Sequence, residues 1–237
     1  MLKISQALAT IRQEIIITAQ QFERSADEIT LLAVSKTRPV EDLMTAIECG
    51  QFAFGENYVQ EAIPKIQTLR HDHNHLIWHF IGPLQSNKTR LIAEHFDWIQ
   101  SLDDLKQAQR LNDQRPPQLP PLNICIQVNV SEESQKSGIQ LADLPLFAQT
   151  VAQLPRLHLR GLMTIPAYSE EFTEQRKPFH ILHTAYRQLQ QAGFQLDTLS
   201  MGMTDDMSAA IAEGSTMVRI GTGIFGAREN NRSIGLN

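Results

Sequence analysis

The stretch Leu31–Phe54 reads LLAVSKTRPVEDLMTAIECGQFAF. An apolar run, Leu31–Ser35, gives way to a polar turn through Thr37-Arg38-Pro39. Helix-like spacing follows over Val40–Cys49, and after Gly50 comes a second apolar run, Phe52–Phe54. Strand, helix and strand in that order make a βαβ unit, whose strands run parallel because a crossover helix separates them. The same alternation continues outward along the chain. Further apolar runs are Ile77–Ile81, Phe96–Ile99, Leu122–Val130, Leu157–Met163, Leu196–Leu199 and Met217–Ile220. The helix-like stretches between them are Asn57–Leu69, Thr89–His95, Asp103–Asn112, Leu141–Leu154, Phe172–Ala192 and Asp205–Glu213. Eight units of roughly 30 residues each predict an α/β fold, a single (β/α)8 TIM barrel. A doubly wound open sheet is the rival, and the GxGxxG expected after its first strand is missing. Leu8, Ile11, Ile15 and Phe22 fall at helical spacing, so residues 1–24 read as an extra N-terminal helix. The proline-rich run Arg115–Pro121 reads as a surface loop, because the pattern continues on both sides of it. Residues 1–237 therefore read as one domain, with the barrel at 30–228.

Composition narrows the partners. A net charge of −5 argues against a general nucleic-acid binder, which needs clustered Lys and Arg, but leaves room for a local basic pocket. Two cysteines, Cys49 and Cys125, cannot form a disulfide framework, which points to a reducing compartment. No apolar run approaches the length of a membrane span, and Arg12 and Glu14 interrupt the first helix. The expectation is a cytoplasmic monomer that binds no membrane.

In a barrel of this kind, chemistry sits where strands end and βα loops begin. Lys36 follows the first strand and shares a face with Leu32 and Val34. If that face points inward, an apolar surrounding lowers the amine pKa and suits it to attack an aldehyde. An ordinary solvated lysine is the alternative. After the last two strands come Ser200-Met201-Gly202-Met203-Thr204 and Gly221-Thr222-Gly223. Small residues and hydroxyls at these loops suit a phosphate held by backbone N–H groups. They also suit plain tight turns and a helix cap. Arg219 lies between Val218 and Ile220 and so faces the opposite side, inward, where it needs either a carboxylate or a ligand atom. An amine, a phosphate cup and an inward arginine together describe a site for pyridoxal 5′-phosphate.

Several longer stretches also resemble one family. They are Leu32–Thr37, Phe54-Gly55-Glu56-Asn57-Tyr58-Val59-Gln60-Glu61, Trp78–Lys88, Ser134–Gly138, Arg160-Gly161-Leu162-Met163, Ser200–Met207 and Val218–Thr222. In order and spacing, from about residue 30 to 228, they are similar to the pyridoxal phosphate homeostasis protein family. The resemblance implies a barrel like the N-terminal domain of bacterial alanine racemase. It implies a Schiff base on Lys36, phosphate contacts from Ser200, Gly221 and Thr222, and a pyridine-nitrogen contact from Arg219. Asn57 and Met201 would line the cofactor. It also implies a role in intracellular vitamin B6 and amino-acid homeostasis, with apo-enzymes that depend on the cofactor as partners.

Three functions follow from these residues. A non-catalytic carrier or reservoir needs only a reversible Schiff base. A weak amino-acid racemase needs a second base, from Tyr58, His79 or a partner chain. A class I aldolase would use Lys36 on a sugar phosphate and leaves Arg219 less well explained. A cationic Arg at the pyridine nitrogen discourages its protonation and weakens the ring as an electron sink, which favours the first. His71, His73 and His75 lie in a polar stretch without an apolar frame, so no metal site is read there. Lys88 and Lys136 read as loop lysines near the ligand end.

Overall fold

The computed structural model describes residues 2–131 and 137–227. Its strands are β1 (Thr30–Val34), β2 (Ala53–Glu56), β3 (Ile77–Phe80), β4 (Trp98–Leu102), β5 (Leu122–Asn129), β6 (Ile139–Gln140), β7 (Leu157–Met163), β8 (Thr198–Ser200) and β9 (Met217–Ile220). All pairings are parallel, and β4 pairs β5 while β9 pairs β1. The ring β1-β2-β3-β4-β5-β7-β8-β9 is therefore closed. The two-residue β6 adds to β5 outside the ring. The barrel expected from the alternation of strands and helices is the barrel found.

Helices α1 (Leu2–Gln21), α2 (Val40–Glu48), α3 (Val59–Arg70), α4 (Thr89–His95), α5 (Leu105–Gln114), α6 (Leu144–Ala152), α7 (Phe172–Gln191), α8 (Met207–Ala212) and α9 (Thr222–Phe225) surround it. Their ends follow local chemistry. Asp104 caps α5 by accepting from the Gln107 N–H at 2.9 Å. Glu41 and Asp42 sit in the first turn of α2, where the helix dipole favours them. Gly50 ends that helix with φ +78°, its N–H donating to Ile47. The last helix, α9, has only four residues. The N-terminal helix α1 packs against α2, α8 and α9 and covers that side of the barrel with Leu8, Ile11, Ile15 and Ala19.

Alternation along each strand sorts two layers. Leu31, Ala33, Phe54, Trp78, Phe80, Ile99, Val218 and Ile220 join the continuous layer between barrel and helices. Leu32, Ala53 and Met217 form a separate cluster inside the barrel, as do Trp98, Cys125 and Met163. Two expected strand limits shift for a visible reason. Phe52 is exposed, so β2 begins at Ala53. Asp97 accepts from the Trp78 N–H at 2.9 Å, and the strand expected from Phe96 starts only at Trp98.

Candidate cofactor site

The strand ends place Lys36 after β1, Asn57 after β2, and Gly221 and Thr222 after β9. With Arg219 these residues line one cavity of about 360 Å³ at the C-terminal mouth of the barrel. Val34, Ile81 and Ile165 give it apolar walls, and Asp205 adds a carboxylate. The volume lies in the range of small-molecule sites. A hollow of comparable size between α6 and α7 is apolar, lined by Leu144, Ile181 and Leu189, and holds no lysine or arginine.

Arg219 is the most constrained member. It faces into the barrel between the outward Val218 and Ile220, as the alternation predicts. One guanidinium nitrogen donates to Ser200 Oγ at 2.8 Å and another to the Thr164 carbonyl at 2.9 Å. Both acceptors are neutral. Sequence reasoning offered a carboxylate or a ligand atom, and in the structure neutral groups of the chain hold the cation in place. Burial pushes its pKa down to about 10, with the negative charge of Asp206 opposing the shift.

Ser200 and Met201 stand apart from the other predicted residues, because neither lines the cavity. The Ser200 hydroxyl, fully buried, donates to Gln100 Oε1 at 2.6 Å while accepting from Arg219. It therefore sits behind the arginine, inside the barrel, where an inward-facing residue at the end of β8 must point. Met201, one position later, turns its side chain into the helix-facing layer. Asn57 behaves differently. Its Oδ1 is buried and has no hydrogen-bond partner. An acceptor left without a partner among the described residues costs free energy unless a donor reaches it, and Asn57 lines the same cavity as Lys36. Gly221 and Thr222 open α9, whose first N–H groups have no acceptor within the helix. Lysine, arginine, the Asn57 acceptor and these N–H groups fit an aldehyde-bearing, phosphorylated, heteroaromatic ring.

Behind the cavity runs a polar chain that sequence reasoning missed. Gln100 joins His79 Nδ1, at 3.0 Å, to Ser200 and thus to Arg219. The signal was available, since Gln100 lies two residues after Trp98 in β4 and so has the parity of an inward residue. His79 stacks on Trp98 with ring centroids 5.0 Å apart. Burial lowers its pKa to about 3 from the ordinary 6.5. A neutral, enclosed imidazole of this kind does not line the cavity, and it supplies no second base there. Tyr58 and Lys88 line a smaller hollow that shares Asn57 with the main cavity. Lys136 and the Ser134–Lys136 part of its motif lie outside the described residues.

The His79 shift has a measurable consequence. Below pH 6.5 the unfolded chain takes up a proton that the folded protein refuses until pH approaches 3. The stabilisation is complete above 6.5 and is lost as pH falls, by up to about 1.4 kcal/mol per pH unit. Denaturant midpoints measured between these pH limits should fall less steeply for His79→Gln than for the parent protein. Equal slopes would mean that His79 titrates normally in the fold.

Comparison with known proteins gives the family and the fold. The sequence profile of the family "Alanine racemase, N-terminal domain" matches residues 12–229. The pyridoxal phosphate homeostasis protein of Pasteurella multocida is 55% identical over 97% of this chain and 99% of its own length. That of Escherichia coli is 55% identical over 97% and 98%. The solved structure of PipY from Synechococcus elongatus, with PLP bound, superposes with a TM-score of 0.82 at 37% identity, covering 94% of this chain and 100% of that one.

Proposed function

The chain belongs to the pyridoxal phosphate homeostasis protein family, built on the alanine racemase N-terminal domain, and on that premise we propose that it binds pyridoxal 5′-phosphate at the barrel mouth as a Schiff base on Lys36. Its role would be that of a carrier or reservoir in intracellular vitamin B6 and amino-acid homeostasis, without catalytic turnover. The observation that supports this best is a single cavity lined by Lys36, by Arg219 without a carboxylate partner among the described ion pairs, and by Asn57 with its orphaned acceptor.

When bound, the cofactor supplies an aldehyde that condenses with a primary amine and a ring that can accept electrons. Lys36 would hold it through Nζ as a Schiff base. Arg219 would face the pyridine nitrogen, where its positive charge would discourage protonation. Gly221 and Thr222 take the phosphate. Ser200 serves from behind by holding the guanidinium, and Asn57 would line the ring. The protein would work as a cytoplasmic monomer and pass its cofactor to apo-enzymes that require it. The racemase reading has one observation in its favour, the Asp205 carboxylate in the same cavity.

Adding pyridoxal phosphate to the purified protein should raise a visible absorbance band, and borohydride should fix the label on the Lys36 peptide. Lys36→Ala should abolish both. A band that survives that substitution, or a label found on another lysine, would overturn the assignment. Racemisation of alanine at ordinary enzymatic rates would replace the carrier reading with the racemase.

A further inference from the structure

The turn that carries Lys36 is held in an unusual conformation. Arg38 N–H donates to the Ser35 carbonyl at 3.1 Å, which closes a four-residue turn with Lys36 and Thr37 at its centre. Thr37 has φ +64°. That is the position of a type II turn where glycine or asparagine is normally found, and a β-branched residue there is strained. Such backbone strain persists only where the surroundings over-determine it, and it concentrates at functional sites.

The surroundings here are three charged residues outside the cavity. Lys65, on α3 and only 5% exposed, donates to the Ser35 carbonyl at 2.9 Å, to Glu56 Oε1 at 2.9 Å and to Glu61 Oε1. Glu61 Oε1 in turn accepts from the Thr37 N–H. Glu56, fully buried at the end of β2, accepts from Ser35 Oγ at 2.7 Å. The residues on both sides of Lys36 are thus gripped from α3 and β2. On the far side, Arg38 donates to the carbonyls of Gly226 and Ala227, just beyond α9. Lys65 has one acceptor for each of its three protons, so it is a held cation and no rival to Lys36 as the nucleophile.

This cluster is a poor way to stabilise a fold. It sets two carboxylates against one ammonium, and Glu56 Oε2 is buried with no partner. Burial pushes the Glu56 carboxyl up, opposed by Lys65. Buried ion pairs of this kind repay their desolvation poorly, and well-packed apolar residues would often serve stability as well or better. What the cluster does achieve is a fixed Ser35–Arg38 turn.

We propose that Glu61, Lys65 and Glu56 are positioning residues that hold the strained Lys36 turn so that the lysine amine meets an aldehyde at the barrel mouth. The proposal rests on Lys36 being the reactive amine, as argued above. Its test uses protein freed of cofactor and two readouts. One is the rate at which an amine-acylating ester modifies Lys36, followed by peptide mass spectrometry. The other is the rate at which the visible band grows after pyridoxal phosphate is added.

Glu61→Ala removes the acceptor for Thr37 from a partly exposed position. It should slow both readouts at Lys36 by about tenfold or more, since small misplacements of a reacting group are costly, while leaving the melting temperature nearly unchanged. Glu61→Gln keeps an oxygen for the Thr37 N–H and should restore most of the rate, which a loss of general stability would not do. Because Lys65→Met alone leaves a buried carboxylate unpaired, the double variant Lys65→Met, Glu56→Gln tests the rest of the clamp. It too should fold and react slowly. Parent-like rates in folded Glu61→Ala, or no rescue by Glu61→Gln, would overturn the proposal. If the cofactor attaches somewhere other than Lys36 in the parent protein, the proposed function fails, and the acylation rates still decide the clamp.

Discussion

Gly161→Ala is expected to leave little folded protein, although it adds only one methyl group. Gly161 lies in β7, between Cys125 of β5 and Thr198 of β8, at a point where the β5–β7 register shifts. A Cβ built on it would stand 1.6 Å from the Thr198 carbonyl oxygen and 2.6 Å from its carbonyl carbon. Both are backbone atoms of the neighbouring strand, so no rotamer change can make room. To relieve the contact, β8 would have to move away while Asp197 N–H still donates to the Arg160 carbonyl at 2.9 Å. Moving one strand of a closed ring also strains its other pairing. Overpacking in a well-packed core usually costs about 1–3 kcal/mol, and a backbone collision this close belongs at or above the top of that range. Against a total stability of about 5–15 kcal/mol, a loss of that size moves the denaturant midpoint far down or prevents recovery. Gly50→Ala is the control. Gly50 has φ +78° and nothing within 4 Å of an added Cβ, so it should cost only the left-handed strain of about 1–2 kcal/mol. Equal midpoints for the two variants would show that β7 and β8 separate easily and that the approach at Gly161 is not tight.

Gly161 also marks a limit of sequence reading. Arg160-Gly161-Leu162-Met163 stands out in the sequence only by its resemblance to a family, whereas its physical reason, a close approach of two backbones, needs the neighbouring strand. Residues governed by chain periodicity were legible in advance. The parity of Val218, Arg219 and Ile220 puts the arginine inside the barrel, and it is buried there. That of Leu32, Val34 and Lys36 sets the lysine at the barrel mouth if that face is inward, and Leu32 lies inside while Lys36 lines the cavity at the mouth. Residues governed by contacts across the barrel were not. Ser200 has the right residue type for a phosphate loop, yet its hydroxyl is taken by Gln100, a hundred positions away. Glu61 and Lys65 are four residues apart on one helix, the usual signature of a solvent-exposed pair. Only the packing of α3 onto the end of β1 turns them into a clamp with a buried lysine. Thr37 is a further case, since nothing in a threonine announces a positive φ.

Arg219→Leu is expected to separate ligand affinity from stability. The guanidinium is buried, its two recorded acceptors are neutral, and its pKa is pushed down to about 10. In the protein without cofactor, the charge carries a desolvation cost that Asp206 opposes only through space, with no carboxylate hydrogen bond to it among the described residues. Its removal relieves that cost and leaves the Thr164 carbonyl without this donor, a penalty of about 1–3 kcal/mol. These effects oppose each other, so the melting temperature should change modestly. Binding of pyridoxal phosphate should respond very differently. A hydrogen bond from a charged donor contributes about 1.5–3 kcal/mol, so if the arginine meets the pyridine nitrogen as proposed, its loss weakens binding roughly 10- to 150-fold. Arg219→Lys should not recover the affinity. A lysine ammonium is a point charge on a flexible stem and cannot reach Ser200, Thr164 and a ring nitrogen together with the fixed fork of a guanidinium. Equilibrium titration monitored by absorbance, run beside thermal melts of the same preparations, separates the two effects. Affinity within about threefold of the parent for Arg219→Leu would mean that the arginine serves only to fill the barrel. A collapse in melting temperature at unchanged affinity would assign it to the fold alone.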